Sequence, residues 1–82
     1  MTTILDEAKK VVNGARQKAY GSPQKNYERV AVIWSVILGV PLTPQQVVLC
    51  MIGLKIARES HRHKRDNTVD IAGYAELLDR LS

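Results

Sequence analysis

The stretch Val47–Arg58, VVLCMIGLKIAR, constrains this chain more than any other. From Val47 to Ile56 it carries one polar interruption, Lys55. Its apolar residues show no single face, so a helix here is predicted to be buried nearly all round. A fully buried strand is the rival, but the length and the capping residues upstream favour helix. A lysine in the central helix of a small domain needs either a route to water for its ammonium head or a carboxylate partner. Arg58 and Glu59 lie three and four residues on and share its side of the helix. Asp66 and Asp70 follow downstream, and the predicted polar cluster joins Lys55 and Arg58 to them. Spacing leaves open which aspartate takes Lys55.

The chain has 82 residues, which predicts one small domain spanning 1–82. At 45% hydrophobic it can build a core, and with no Phe that core must be aliphatic, which suits helices. A core of this size is marginal alone, and a homo-oligomer is the expected remedy. The single Cys50 forms no internal disulfide, so a reducing, cytoplasmic setting is expected. The opening MTTILDEAKK lacks the pattern of a secretory signal, and Lys55 closes the longest apolar run well short of a membrane span. No membrane partner is expected. The net charge of +4 permits an anionic partner without demanding one.

Start and stop signals divide the chain into helices. Thr3 can cap a first helix from Ile4, with Asp6 as a capping-box partner and Glu7 beside it in the first turn. The stripe Ile4, Ala8, Val11, Val12, Ala15 carries that helix to about Lys18. Gly14 inside it suggests a close helix contact. In Tyr20-Gly21-Ser22-Pro23, glycine suits a helix end, serine an N-cap and proline a first helical residue. The second helix should run from Pro23 to about Leu38, with Tyr27, Val30, Ala31, Ile33, Trp34, Ile37 and Leu38 as its apolar set. Thr43-Pro44-Gln45-Gln46 is a clear start for the central helix, which should reach about Ser60. After the basic connector 61–65, Asp66 or Thr68 should cap a last helix towards Leu81. No segment reads as a strand. The predicted class is all-α, a small four-helix bundle completed by oligomerisation.

The chemistry-bearing residues each have a plain reading beside a functional one. His61 and His63 near Asp66 could ligate a metal, but ligands are too few and Cys50 lies about three turns back. A solvated connector is the better account, and no metal ligand is assigned. Arg62 to Arg65 could touch phosphates, yet no basic recognition helix or stacking aromatics accompany them, so nucleic acid is not the expected partner. Asp66 and Asp70 could hold Mg²⁺, which takes one or two carboxylates plus substrate phosphates. The simpler account has Asp66 capping a helix and Asp70 neutralising Lys55 or Arg58. Tyr20, beside Arg16 and Lys18, could face a base or phosphate. No nucleophile has an evident base and no Gly-rich phosphate loop is present, so no catalytic residue is assigned.

Three segments, Arg16–Asn26 (RQKAYGSPQKN), Leu54–Arg58 (LKIAR) and Asp66–Ala75 (DNTVDIAGYA), resemble in order a family of small phage and prophage proteins of unsettled function. More distantly they are similar to phage nucleotide-modification-associated domains. More distant still are the all-α nucleoside triphosphate pyrophosphatases of the MazG type, helical oligomers that hold Mg²⁺ with glutamates. The paired-glutamate motif of that last group, E-x-x-E followed by E-x-x-D, is absent here; only Glu76-x-x-Asp79 has part of the spacing. The resemblance marks Tyr20, Gly21, Asn26, Lys55, Arg58, Asp66, Asp70 and Tyr74, and implies a helical phage-type protein tied to nucleotides.

Three functions of different classes follow. The leading expectation is a non-catalytic protein that binds, and could sequester, a nucleotide or other phosphate-bearing ligand. Its site residues would be Arg16, Tyr20, Asn26, Lys55, Arg58, Asp66, Asp70 and Tyr74. The second is a Mg²⁺-dependent nucleotide pyrophosphohydrolase, with Asp66 and Asp70 on the metal and Lys55 steadying developing charge. The third is an interaction module that inhibits or redirects a host protein. The scarcity of acids favours the first over the second.

Overall fold

A computed structural model of the chain describes residues 2–13 and 22–81. The described residues form four helices and no strand: α1 (Ile4–Asn13), α2 (Pro23–Leu38), α3 (Pro44–His61) and α4 (Arg65–Arg80). The all-α small bundle read from the sequence is what the chain adopts. The expected extension of the first helix to Lys18, the contact at Gly14 and the turn at Gly21 lie outside the described residues.

The helix starts are local and follow from the capping residues. The Asp6 N–H donates to Thr3 Oγ1 at 3.1 Å while the Thr3 N–H donates back to the Asp6 carboxylate at 3.3 Å. Ser22 Oγ accepts from the Lys25 N–H at 3.3 Å, and Pro23 opens α2. Thr43 and Gln46 form a reciprocal capping box, at 3.1 and 2.8 Å. Each satisfies N–H groups that a helix end leaves unpaired. Gly39 ends α2 at φ 72°, a left-handed conformation that glycine reaches without a Cβ clash, and its N–H donates to the Ser35 carbonyl. Ser35 also fixes the turn: its hydroxyl donates to the Ala31 carbonyl and accepts the Leu42 N–H at 2.9 Å.

The start of α4 departs from expectation. Asp66 and Thr68 do not cap it; the helix begins at Arg65, with Lys64 at the N-cap and no side-chain bond from the cap itself. A carboxylate from the preceding helix instead anchors the residues at this start. Glu59 Oε1 accepts the Lys64 N–H at 2.9 Å and the Asn67 side-chain amide at 3.2 Å. This occupies Asn67, the one buried polar residue among those described.

Packing places the helices in the order α1, α4, α3, α2, each against the next. The core lies on the two faces of α4 and the inner face of α3: Val12, Val48, Tyr74 and Leu77, with Tyr27, Met51 and Ile52 closing over it. At the α1–α4 contact, a Cβ on Gly73 would stand 3.3 Å from Val12 Cγ2, so glycine sets the spacing there. Arg65 Nε donates to the Glu7 carboxylate at 2.9 Å and Gln45 Nε2 to the Leu81 carbonyl at 2.7 Å, fastening the start of α4 to α1 and its end to α3.

The all-round burial predicted for the central helix does not occur. Val47 and Val48 are buried, but Leu49, Leu54, Ile56 and Cys50 are exposed. An open row gives α3 neighbours on only part of its circumference, and among the described residues nothing covers the rest. The predicted apolar set of α2 divides likewise, with Ala31 buried and Ile33, Ile37 and Leu38 exposed.

Candidate functional site

The C-terminal turns of α3 and the first turns of α4 enclose an open groove of about 940 Å³. The helical repeat explains what lines it. Lys55, Arg58 and Arg62 follow one another at i, i+3 and i+7, so one stripe of α3 and its C-cap presents three cations. Asp66 and Asp70, at i and i+4, form the facing stripe of α4. Lys64, in the connector, contributes a further ammonium at the rim. The backbone carbonyls at the end of α3 add negative dipole character locally, where basic residues are favoured.

Lys55 Nζ lies 2.8 Å from Asp70 Oδ2, with only 14% and 16% of the two side chains exposed. The structure therefore resolves the choice that spacing left open: the partner is Asp70. Their charges cancel at the floor of the groove. Arg58, Arg62 and Lys64 remain exposed above it, against the single carboxylate of Asp66. Arg58 has no ion-pair partner among the described residues. The groove thus offers surplus positive charge in a concave setting, with guanidinium forks able to grip paired oxygens.

A second polar centre adjoins it. Glu59 contacts His63 Nδ1, accepts from the Lys64 N–H and holds Asn67. The contact with His63, then the Lys64 N–H, keeps the Glu59 carboxyl below its ordinary range. Across the helix start, the hydrogen bond from Arg65 to Glu7 and the attraction of that carboxylate raise the Arg65 guanidinium above its ordinary value. Both centres fix the connector 61–65 and so hold Arg62 and Lys64 at the groove. Among the described residues no group of three or more His, Cys, Asp or Glu side chains stands close enough to hold a metal ion.

Of the eight residues marked in the sequence, the structure brings together Lys55, Arg58, Asp66 and Asp70. Asn26 is half-buried in the first turn of α2, its N–H donating to the Ser22 carbonyl, and does not line this groove. Tyr74 is buried in the core beside Val12 and Leu77. Arg16 and Tyr20 lie outside the described residues. Sequence reasoning weighed Arg62 to Arg65 for phosphate contact but assigned them to a solvated connector, and gave Asn67 no role. For Arg62 a signal existed, since it continues the Lys55–Arg58 stripe; taking 61–65 as a solvated connector hid it.

The model of the family described as "Domain of unknown function (DUF6378)" matches residues 3–82. The chain is 42% identical over 81 residues to the Gene 55 protein of Mycobacterium phage L5, covering 96% of this chain and 52% of that protein. It is 36% identical over 80 residues to the Gene 55 protein of Mycobacterium phage D29, covering 96% of this chain and 53% of that one. The chain thus spans about half the length of these relatives. No solved structure matches it.

Proposed function

The chain belongs to the DUF6378 family, and we propose that its groove binds a phosphate-bearing ligand of nucleotide type without transforming it. The observation that carries this is the division of charge. Asp70 holds Lys55 at the floor, while Arg58, Arg62 and Lys64 face the same open volume. Arginine forks match phosphate oxygens in pairs, and a lysine at the rim adds a point charge. Asp66, on the opposite stripe, can accept a hydrogen bond from a hydroxyl or amino group at the other end of the ligand. A nucleotide has phosphate at one end and such donors at the other. The groove lies within the size range of small-molecule sites, roughly 300–1,000 Å³. For a protein similar to phage proteins, sequestering a nucleotide is a use that needs no catalytic group.

A thermal-shift panel tests this, with nucleotides, inorganic phosphate and pyrophosphate, each with Mg²⁺ and with EDTA. A ligand that binds only the folded chain raises its melting temperature. The proposal expects a nucleotide-class shift that survives EDTA and is abolished in Arg58→Glu. A shift that requires Mg²⁺ and is accompanied by released product would replace binding with hydrolysis at Asp66 and Asp70. No shift with any ligand would overturn the proposal and leave a protein-interaction module.

A further inference from the structure

The outer side of the α2–α3 hairpin presents a face that the fold leaves open. On the C-terminal half of α2, Val32, Ile33, Val36 and Ile37 are 57–79% exposed. On α3, Leu49, Leu54 and Ile56 are 40–55% exposed. A Cβ built on Gly53, between them, would meet nothing within 4 Å. These α3 positions fall on the arc opposite Val48, Met51, Ile52 and Lys55, which turn towards α4. That outer arc between Leu49 and Ala57 carries no charged side chain. Single exposed apolar residues are ordinary on a protein surface, but so many on one helix pair mark an interaction site.

We infer that this face is the contact between two copies of the chain, paired hairpin to hairpin about a two-fold axis. The area supports a second copy. A compact monomer of this mass, 9.2 kDa, exposes roughly 4,900 Å². This chain exposes 5758 Å². The excess over the whole chain, roughly 800 Å², is of the size that one partner contributes to a stable interface. The radius of gyration agrees: it is 13.2 Å, where a compact chain of this length gives about 11.7 Å. The chemistry also fits a self-contact. Both helices of the hairpin offer aliphatic side chains, and the outer arc of α3 has no charge or buried donor to select an asymmetric partner. Two such hairpins face to face make a four-helix layer whose opposed surfaces are the same surface, as a two-fold contact requires.

Light scattering after size exclusion, at micromolar concentration, reads the mass directly. The expected result is twice the chain mass for the wild type. Val36→Glu and, separately, Leu54→Glu should each return the monomer mass, with unchanged helical circular dichroism. Cys50, exposed in the single chain on the same arc, gives a second readout. Its reaction with a thiol reagent should be at least tenfold slower in the wild type than in Val36→Glu. A monomeric wild type would overturn the inference, leaving the face to another segment or partner. So would a dimer that both substitutions leave intact with Cys50 freely reactive, because the contact would then lie elsewhere.

Discussion

Lys55 Nζ on α3 lies 2.8 Å from Asp70 Oδ2 on α4, and the pair forms the floor of the basic groove. It links the two central helices and sets which cations of the groove remain available. Both side chains are mostly buried, so the pair stands between an exposed ion pair, worth about 0–1 kcal/mol, and a fully buried one, whose breaking costs about 3–5 kcal/mol. A cycle of Lys55→Met, Asp70→Asn and the double variant should give a coupling of about 2 kcal/mol in urea unfolding. A coupling near zero would mean that the pair adds nothing to the α3–α4 contact.

The α1–α4 contact depends on Gly73. A Cβ there would stand 3.3 Å from Val12 Cγ2, and Val12 is buried. Alanine gains about 1 kcal/mol in helix propensity, which this crowding should largely offset. Gly73→Val, which adds branched bulk, should destabilise by about 1–3 kcal/mol, and Val12→Ala in the same chain should restore part of the loss. Unfolding midpoints of the three variants check this.

Thr43→Ala removes one half of the capping box at the start of α3. The expected cost is about 1 kcal/mol, with the same denaturant slope as the wild type.

These caps were legible in the sequence because each is decided within four residues. Thr3, Ser22 and Thr43, the last two followed by Pro23 and Pro44, carry their helix starts without help from the rest of the fold. The Lys55 cluster was legible in kind, since a lysine in so apolar a stretch needs a carboxylate. The choice of Asp70 was not, because it depends on how α3 and α4 meet across the connector. The start of α4 was hidden for the same reason: the helix begins at Arg65, before Asp66 and Thr68, and Glu59 of the preceding helix takes the Lys64 N–H at the N-cap. The burial of α3 was misjudged because an apolar sequence does not say how many neighbours a helix has. A helix buried all round and one with an open apolar arc share the same pattern.

Glu59 makes stability depend on pH. Its carboxyl titrates below its ordinary value of 4.5 in the folded chain, through the His63 contact and the Lys64 N–H. A group depressed by folding stabilises above its unfolded value, and that contribution is lost as pH falls through the folded value. The stability advantage of the wild type over Glu59→Gln should therefore be full near neutral pH and shrink below pH 4.5. Parallel pH–stability curves for the two would show that Glu59 carries none of this dependence.

The groove between α3 and α4 is proposed to receive a phosphate-bearing nucleotide. Titrating a nucleoside triphosphate into isotopically labelled protein, followed by amide chemical shifts, tests it most directly. Saturable shifts are expected, concentrated at Arg58, Arg62, Lys64 and Asp66, and lost in Arg58→Glu while the rest of the spectrum stays unchanged. Saturable shifts centred on another part of the chain, or a spectrum that does not move, would contradict it.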